Sequence, residues 1–166
     1  MKAQDKIEYR VKLFAIKTKE EVQQEQMQKA SAQNAIDDSV LQDYFKKNNI
    51  QPTKTASGIY YTIVKPGTGD NIKAGQEATV NYIGKTMDGQ IFDQNPDPKN
   101  AKKEPFKVKV GQGMVIRGWD EALQLLNKGA VAKVYIPSSL GYGAQGGGPI
   151  PPNAVLMFDM EIKDVK

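Results

Sequence analysis

The stretch from Val115 to Pro152 leaves this chain little latitude in what it can become. It opens on Val115-Ile116-Arg117-Gly118-Trp119, runs through Val134-Tyr135-Ile136-Pro137 and Gly141-Tyr142-Gly143, and closes on Ile150-Pro151-Pro152. The single tryptophan stands where a helix should begin, with Asp120 and Glu121 placed to meet the positive end of its dipole. Leu123, Leu125 and Leu126 supply an apolar side, Lys128 falls in the last turn, and Gly129 is a good terminator. Val131–Ile136 then reads as a strand, and a glycine-rich loop follows it. Val155–Val165 alternates with period two, placing Leu156, Phe158, Met160 and Ile162 on one face. A short helix that presents an indole to such a sheet, with an aromatic-bearing loop at the rim, makes a concave apolar pocket.

Much familiar chemistry is ruled out by residue types the chain does not use. It has no histidine and no cysteine. That removes the commonest general base, the thiol nucleophile, disulfides and most transition-metal ligands. Gly141 to Gly146 spells G-x-G-x-x-G after a strand, but a dinucleotide site needs a helix to open there. Gly147, Gly148, Pro149, Pro151 and Pro152 do not allow one. The neighbouring carboxylates, Asp120 with Glu121 and Asp159 with Glu161, are explained by a helix start and a strand face. No cofactor and no metal is expected. The net charge is +4, and the lysines are scattered apart from Lys46-Lys47 and Lys102-Lys103. Nucleic-acid binding would want a basic stripe interleaved with aromatics, so no nucleic-acid partner is expected. No apolar run approaches the roughly 18 residues of a membrane span.

Earlier in the chain, Ile7 to Lys17 alternates as a half-buried strand, with Ile7, Tyr9, Val11 and Leu13 on one face. Thr18 caps a predicted helix from Lys19 to about Asn48, with Glu20 and Glu21 early and Lys46 and Lys47 late. Its first half is nearly all polar, whereas Ile36, Val40, Leu41, Tyr44 and Phe45 give the second half an apolar face that should pack against something. Gln51 to Gly58 is linker-like. Strands follow at Ile59–Val64, Glu77–Lys85, Gln90–Asp93 and Phe106–Val110. Pro66 to Asp70 is a turn, Asp88-Gly89 a tight hairpin turn, and Gln94 to Glu104 a polar loop. The fold class is α+β: an antiparallel half-barrel sheet wrapped around one short helix, preceded by a strand and a long N-terminal helix.

VIRGWDEAL, VYIPSSLGYG, IPPNAVLMFD and the earlier VNYIGKTMDGQIFD resemble the FKBP-type peptidyl-prolyl cis-trans isomerases, from about Thr55 to the C-terminus. The resemblance implies an enzyme that speeds rotation about X–Pro bonds in unfolded or extended proline-containing polypeptides. The competing reading is a proline-segment-binding or holdase chaperone module with little turnover. In the family's pattern Trp119 is the pocket floor, and Tyr82, Phe92, Phe106, Val115, Ile116 and Phe158 are walls. The Ile116 backbone N–H and the Tyr142 hydroxyl hold flanking peptide carbonyls, Asp93 polarises the twisting carbonyl, and Ile150 closes the rim. Macrolide inhibitors of the rapamycin type should enter the same pocket. Val108 stands where many relatives carry a second wall phenylalanine, implying a looser wall. The loop from Gly143 to Pro149 is short and lacks the His-Pro of some relatives, and the loop after Asp93 is longer.

The expected division is a strand over 1–18, a helical extension over 19–49 and the isomerase domain over 50–166. The first strand has the pattern of the last one, which suggests the closing strand of a similar upstream domain. Two readings of the long helix stay open: docked on its own domain, or an arm for a homodimer, as in periplasmic relatives with helical N-terminal extensions. Compartment stays open with them: the periplasm or cell envelope if Met1 is not the native start, the cytoplasm if it is.

Overall fold

A computed structural model describes residues 18–95 and 104–166; the alternating segment at 7–17 and positions 96–103 of the polar loop lie outside the described residues. The first element is helix α1, Lys19–Asn48, and its start is set by chemistry visible in the sequence. The Thr18 hydroxyl accepts from Glu21 N–H at 3.3 Å while Glu21 Oε2 accepts from Thr18 N–H at 3.3 Å, a reciprocal cap for two otherwise orphaned donors. Asn49 ends the helix in the left-handed region, φ 53°.

Among the described residues seven strands follow: β1 (Thr53–Lys54), β2 (Tyr60–Lys65), β3 (Glu77–Thr86), β4 (Ile91–Asn95), β5 (Phe106–Lys109), β6 (Val131–Ile136) and β7 (Leu156–Val165). They form one antiparallel sheet in the order β1-β2-β6-β7-β3-β4, with β5 also paired to β3. Strand β3 pairs along one edge with β7, from Ala78↔Val165 to Thr86↔Leu156. Its other edge is divided between β5, from Glu77 to Val80, and β4, from Tyr82 to Lys85. The Asn95 side-chain amide donates to Glu104 C=O at 3.0 Å, tying together the two ends of the loop between β4 and β5.

Period-two alternation sends two sets of side chains to opposite faces of the sheet. Leu156, Phe158, Met160 and Ile162 of β7, with Val134 and Ile136 of β6, face the main core, which includes Trp119, Ala122 and Leu123 of the short helix α2 (Arg117–Leu123). Tyr60 and Tyr135 face the other way, into a second core with Leu41, Phe45 and Val155. Phe45 meets Tyr60 and Tyr135 edge to face, at ring-centroid distances of 5.0 and 4.8 Å. Helix α2 lies close on the sheet because residue 118 is glycine. A Cβ there would come within 2.5 Å of an Ile136 methyl.

Several expectations need correction. Helix α2 ends at Leu123 rather than running to Lys128, which instead bridges Thr68 as an isolated antiparallel pair. Asp120 does not simply face the helix dipole: its carboxylate accepts the N–H groups of Gly111 and Gly113, at 3.0 and 3.1 Å, and so fastens the turn before α2. The apolar face expected on α1 is divided. Leu41 and Phe45 are buried, but Ile36 and Val40 stay exposed. Docking there uses a carboxylate that the apolar pattern passes over. Asp37 is 1% exposed and accepts from the Ser138 N–H and hydroxyl, across the chain from α1. No helix among the described residues is long and apolar enough to cross a membrane.

Candidate active site

Between α2 and the concave face of the sheet is a cavity of about 460 Å³, lined by Tyr82, Phe92, Asp93, Phe106, Met114, Val115, Ile116, Trp119, Tyr142 and Phe158. Its floor is Trp119, 4% exposed, which the first turn of α2 points at the sheet. Around the indole the rings stand edge-on. Tyr82, Phe158 and Phe106 lie 4.7, 5.3 and 6.0 Å from it, at interplanar angles of 88°, 88° and 80°. Such T-shaped packing sets each ring's positive edge against a neighbour's negative face, so the walls are stiff as well as apolar.

Phe92 completes one wall through a glycine. It meets Phe158 at 5.6 Å and 89°, over Gly84 of β3. A Cβ at Gly84 would lie 2.7 Å from Phe92 and 2.8 Å from Phe158 ring carbons. Polar groups are few and placed at the edge. Asp93 follows Phe92 on β4, and its Oδ2 accepts the Tyr82 hydroxyl at 2.7 Å. Burial, and then the Asp93 carboxylate beside it, push the Tyr82 phenol well above its ordinary value, so it remains a proton donor to Asp93. That bond fixes the carboxylate at the mouth. Tyr142 also lines the cavity, 43% exposed, its ring over Gly147, where a Cβ would be 3.2 Å from a ring carbon. Ile116 caps α2 without a side-chain bond, and its C=O accepts the Trp119 N–H at 3.0 Å.

Nine of the ten residues singled out in the sequence thus meet on one cavity: Tyr82, Phe92, Asp93, Phe106, Val115, Ile116, Trp119, Tyr142 and Phe158. Ile150 does not line it. The tight pairing of Gly147 with Ile150 turns that side chain into the main core, 5% exposed. Val108 is likewise buried in the core, and Phe106 is the β5 residue on the cavity wall. Met114 was missed. It lies immediately before the Val115-Ile116 motif and is an exposed apolar side chain beside an apolar cleft, the one signal that could have found it.

Residues 69–163 match the family model for FKBP-type peptidyl-prolyl cis-trans isomerases. The chain is 40% identical over 106 residues to FK506-binding protein 1 of Dictyostelium discoideum, covering 63% of this chain and 95% of that protein. It is 38% identical over 129 residues to a probable FKBP-type isomerase of Haemophilus influenzae, covering 77% of this chain and 50% of that one. With the isomerase FkpA of Escherichia coli it shares 35% identity over 161 residues, covering 96% of this chain, α1 included, and 56% of the relative. The chain therefore spans about half the length of these two bacterial relatives. Its fold is similar to the crystal structure of a peptidyl-prolyl cis-trans isomerase from Pseudomonas syringae pv. tomato, with TM-score 0.67 and 32% identity, covering 82% of this chain and 95% of that one.

Proposed function

The chain belongs to the FKBP-type peptidyl-prolyl cis-trans isomerase family, and we propose that its Trp119-floored cavity binds an X–Pro segment of an unfolded or extended polypeptide and accelerates rotation about the prolyl bond. The reaction makes and breaks no covalent bond. It needs the C–N bond carried through a state without amide resonance, over a barrier of about 18–20 kcal/mol. Spontaneous exchange takes roughly tens to hundreds of seconds. Shortening it to ~10 ms is ~10⁴-fold, or about 5 kcal/mol of extra binding in the twisted state. Fixed contacts can supply that without nucleophile, metal or cofactor. The planar amide is the more dipolar form, so a water-poor aromatic box disfavours it relative to the twisted one.

Each residue has a role in this reading. The proline ring rests on Trp119, between Tyr82, Phe92, Phe106, Val115 and Phe158. The Ile116 N–H and the Tyr142 hydroxyl hold peptide carbonyls on either side of the rotating bond. Asp93, oriented by Tyr82, faces the carbonyl that turns. The observation that carries the proposal is this placement of one anchored carboxylate and one tyrosine hydroxyl around an otherwise apolar cavity. Macrolides of the rapamycin type, which imitate the twisted prolyl amide, should compete for the same space.

A protease-free isomerisation assay on a short X–Pro peptide tests it. The chain should accelerate exchange, Asp93→Ala and Tyr142→Phe should lower kcat/KM with circular dichroism unchanged, and a rapamycin-type ligand should inhibit competitively. Binding of the peptide without acceleration would leave the holdase reading. Full activity in both variants would overturn the assignment of the site. For α1, the exposed side chains of Lys19–Lys29, Ser31 and Ala32, Val22 and Met27 among them, support pairing with a second copy of this chain. Light scattering on a chain lacking residues 1–32 should then report the smaller species.

A further inference from the structure

The loop that carries Tyr142 is held from behind by a helix that does not touch the cavity. In the second half of α1, Asp37 Oδ2 accepts both the Ser138 N–H, at 2.8 Å, and the Ser138 hydroxyl, at 2.5 Å. Its Oδ1 accepts the Gln33 side-chain amide at 2.8 Å. One turn earlier, the Ser139 hydroxyl donates to Asn34 Oδ1 at 2.6 Å. Asp37 and Ser138 are each 1% exposed, so this is a desolvated joint and not a surface contact. A carboxylate so enclosed is stable only while its donors stay in place, which gives the joint a single geometry.

Little slack separates that joint from the pocket. Ser138 opens a three-residue 3₁₀ turn, Ser138–Leu140, closed by Gly141 N–H to Ser138 C=O at 3.1 Å, and Tyr142 follows at once. Gly141 lies against Leu156, where a Cβ would be 3.0 Å from a methyl carbon, and the Tyr142 ring lies over Gly147. The Gly143 C=O then accepts the Asn153 N–H at 2.9 Å. We propose that Asp37 is a positioning residue for the isomerase reaction: by fixing Ser138 it sets where the Tyr142 hydroxyl stands at the mouth of the cavity. Helix α1 is on this view part of the scaffold of the site. The inference rests on the proposed role of Tyr142 in holding the substrate.

The test uses the whole chain and an X–Pro peptide, with Asp37→Ala, Asp37→Asn and Ser138→Ala made alone, and Asp37→Ala also made with Tyr142→Phe. Asp37→Ala should raise KM about tenfold with kcat nearly unchanged, because a loosened Tyr142 loses binding made alike in ground and transition states. Amide exchange at Leu140 and Gly141 should speed by about tenfold while β3 and β7 keep their rates. Asp37→Asn keeps an oxygen for the Ser138 donors and should restore most of both. In the Tyr142→Phe background, Asp37→Ala should cost nothing more. If Asp37→Ala does not fold, Ser138→Ala, which keeps the backbone bond to Asp37, should show the same pattern at roughly threefold. Unchanged KM and exchange in these variants would overturn the proposal, as would a loss that persists undiminished with Tyr142→Phe. If Tyr142→Phe alone leaves kcat/KM intact, the role given to Tyr142 in holding the substrate falls and the proposal with it. If Tyr142→Phe is impaired and neither Asp37→Ala nor Ser138→Ala is, the proposal alone falls.

Discussion

Replacing Gly84 by alanine sets two physical effects of opposite sign against each other. On backbone grounds alone, alanine in a strand interior should be better than glycine by roughly 0.5–1 kcal/mol, since the unfolded chain has less freedom to lose. The packing argues the other way. The new methyl would lie 2.7 and 2.9 Å from two Phe92 ring carbons and 2.8 Å from one of Phe158. Carbon atoms prefer about 3.5–4.0 Å, so each contact overlaps by nearly an ångström. Phe92 is half-buried and can swing aside. Phe158 cannot, being 4% exposed and boxed in by Trp119 at 5.3 Å and Tyr82 at 6.4 Å. Overpacking costs about 1–3 kcal/mol, and three contacts this short place it in the upper part of that range, about 2–3 kcal/mol, which leaves a net destabilisation of about 1–2.5 kcal/mol after the backbone gain. Urea unfolding should show the midpoint falling by roughly 0.5–1 M at an unchanged slope. The peptide isomerase assay should show lower kcat/KM, because the displaced ring belongs to the cavity wall. A variant as stable as the parent, or more so, with full activity would refute the reasoning.

Tyr82→Phe removes the hydroxyl that anchors Asp93 and should cost about 1–2 kcal/mol of stability together with a fall in kcat/KM; denaturation and peptide assays on one preparation read both. Phe45→Ala, which strips the ring between Tyr60 and Tyr135, should cost about 3–5 kcal/mol and act on the α1 joint, with amide exchange accelerated along the second half of α1 before β7 is affected. Tyr135 provides a test at high pH. Burial first, then the Tyr44 and Asp159 side chains, push its phenol up to about 12. The folded state holds that proton more tightly than the unfolded chain, so the stabilisation is complete below about pH 10 and is lost as pH rises towards 12. The loss is about 2–3 kcal/mol across that window. Tyr135→Phe should flatten that part of the pH–stability curve; an unchanged alkaline limb would show that Tyr135 does not govern it.

Where local chemistry decides a feature, the sequence is a sufficient guide. Thr18 and Glu21 three residues on mark the start of α1 to the residue, and the alternation of Leu156, Phe158, Met160 and Ile162 marks the buried face of β7. The aromatic lining is legible for a different reason: Trp119, Tyr82, Phe92 and Phe158 sit in short motifs that resemble those of the FKBP-type isomerases, and the family's pattern places them at the pocket. What escaped depends on partners distant in the chain. Asp120 looks like a dipole residue until the turn at Gly111–Gly113 is brought beside it. Asp37 looks like a surface carboxylate until Ser138, 101 residues away, arrives as its donor. Ile36 and Val40 belong to the same apolar stripe as Leu41, yet β2 and β6 reach only part of that stripe. Ile150 closes the rim in the family's pattern, whereas here its backbone pairs tightly with Gly147 and its side chain packs into the main core.

The division of the β3 edge between β4 and β5 bears on how the two walls of the cavity can be varied. The two strands that flank the cavity, one carrying Phe92 and Asp93 and the other Phe106, are each held by their own register on β3. The Asn95 amide on Glu104 C=O closes the gap between them. Because each strand has its own register, a substitution that loosens β4 should leave the β5 pairing, the indole floor and the β3–β7 pairing as they are, so the carboxylate-bearing wall can be altered separately from the Phe106 wall.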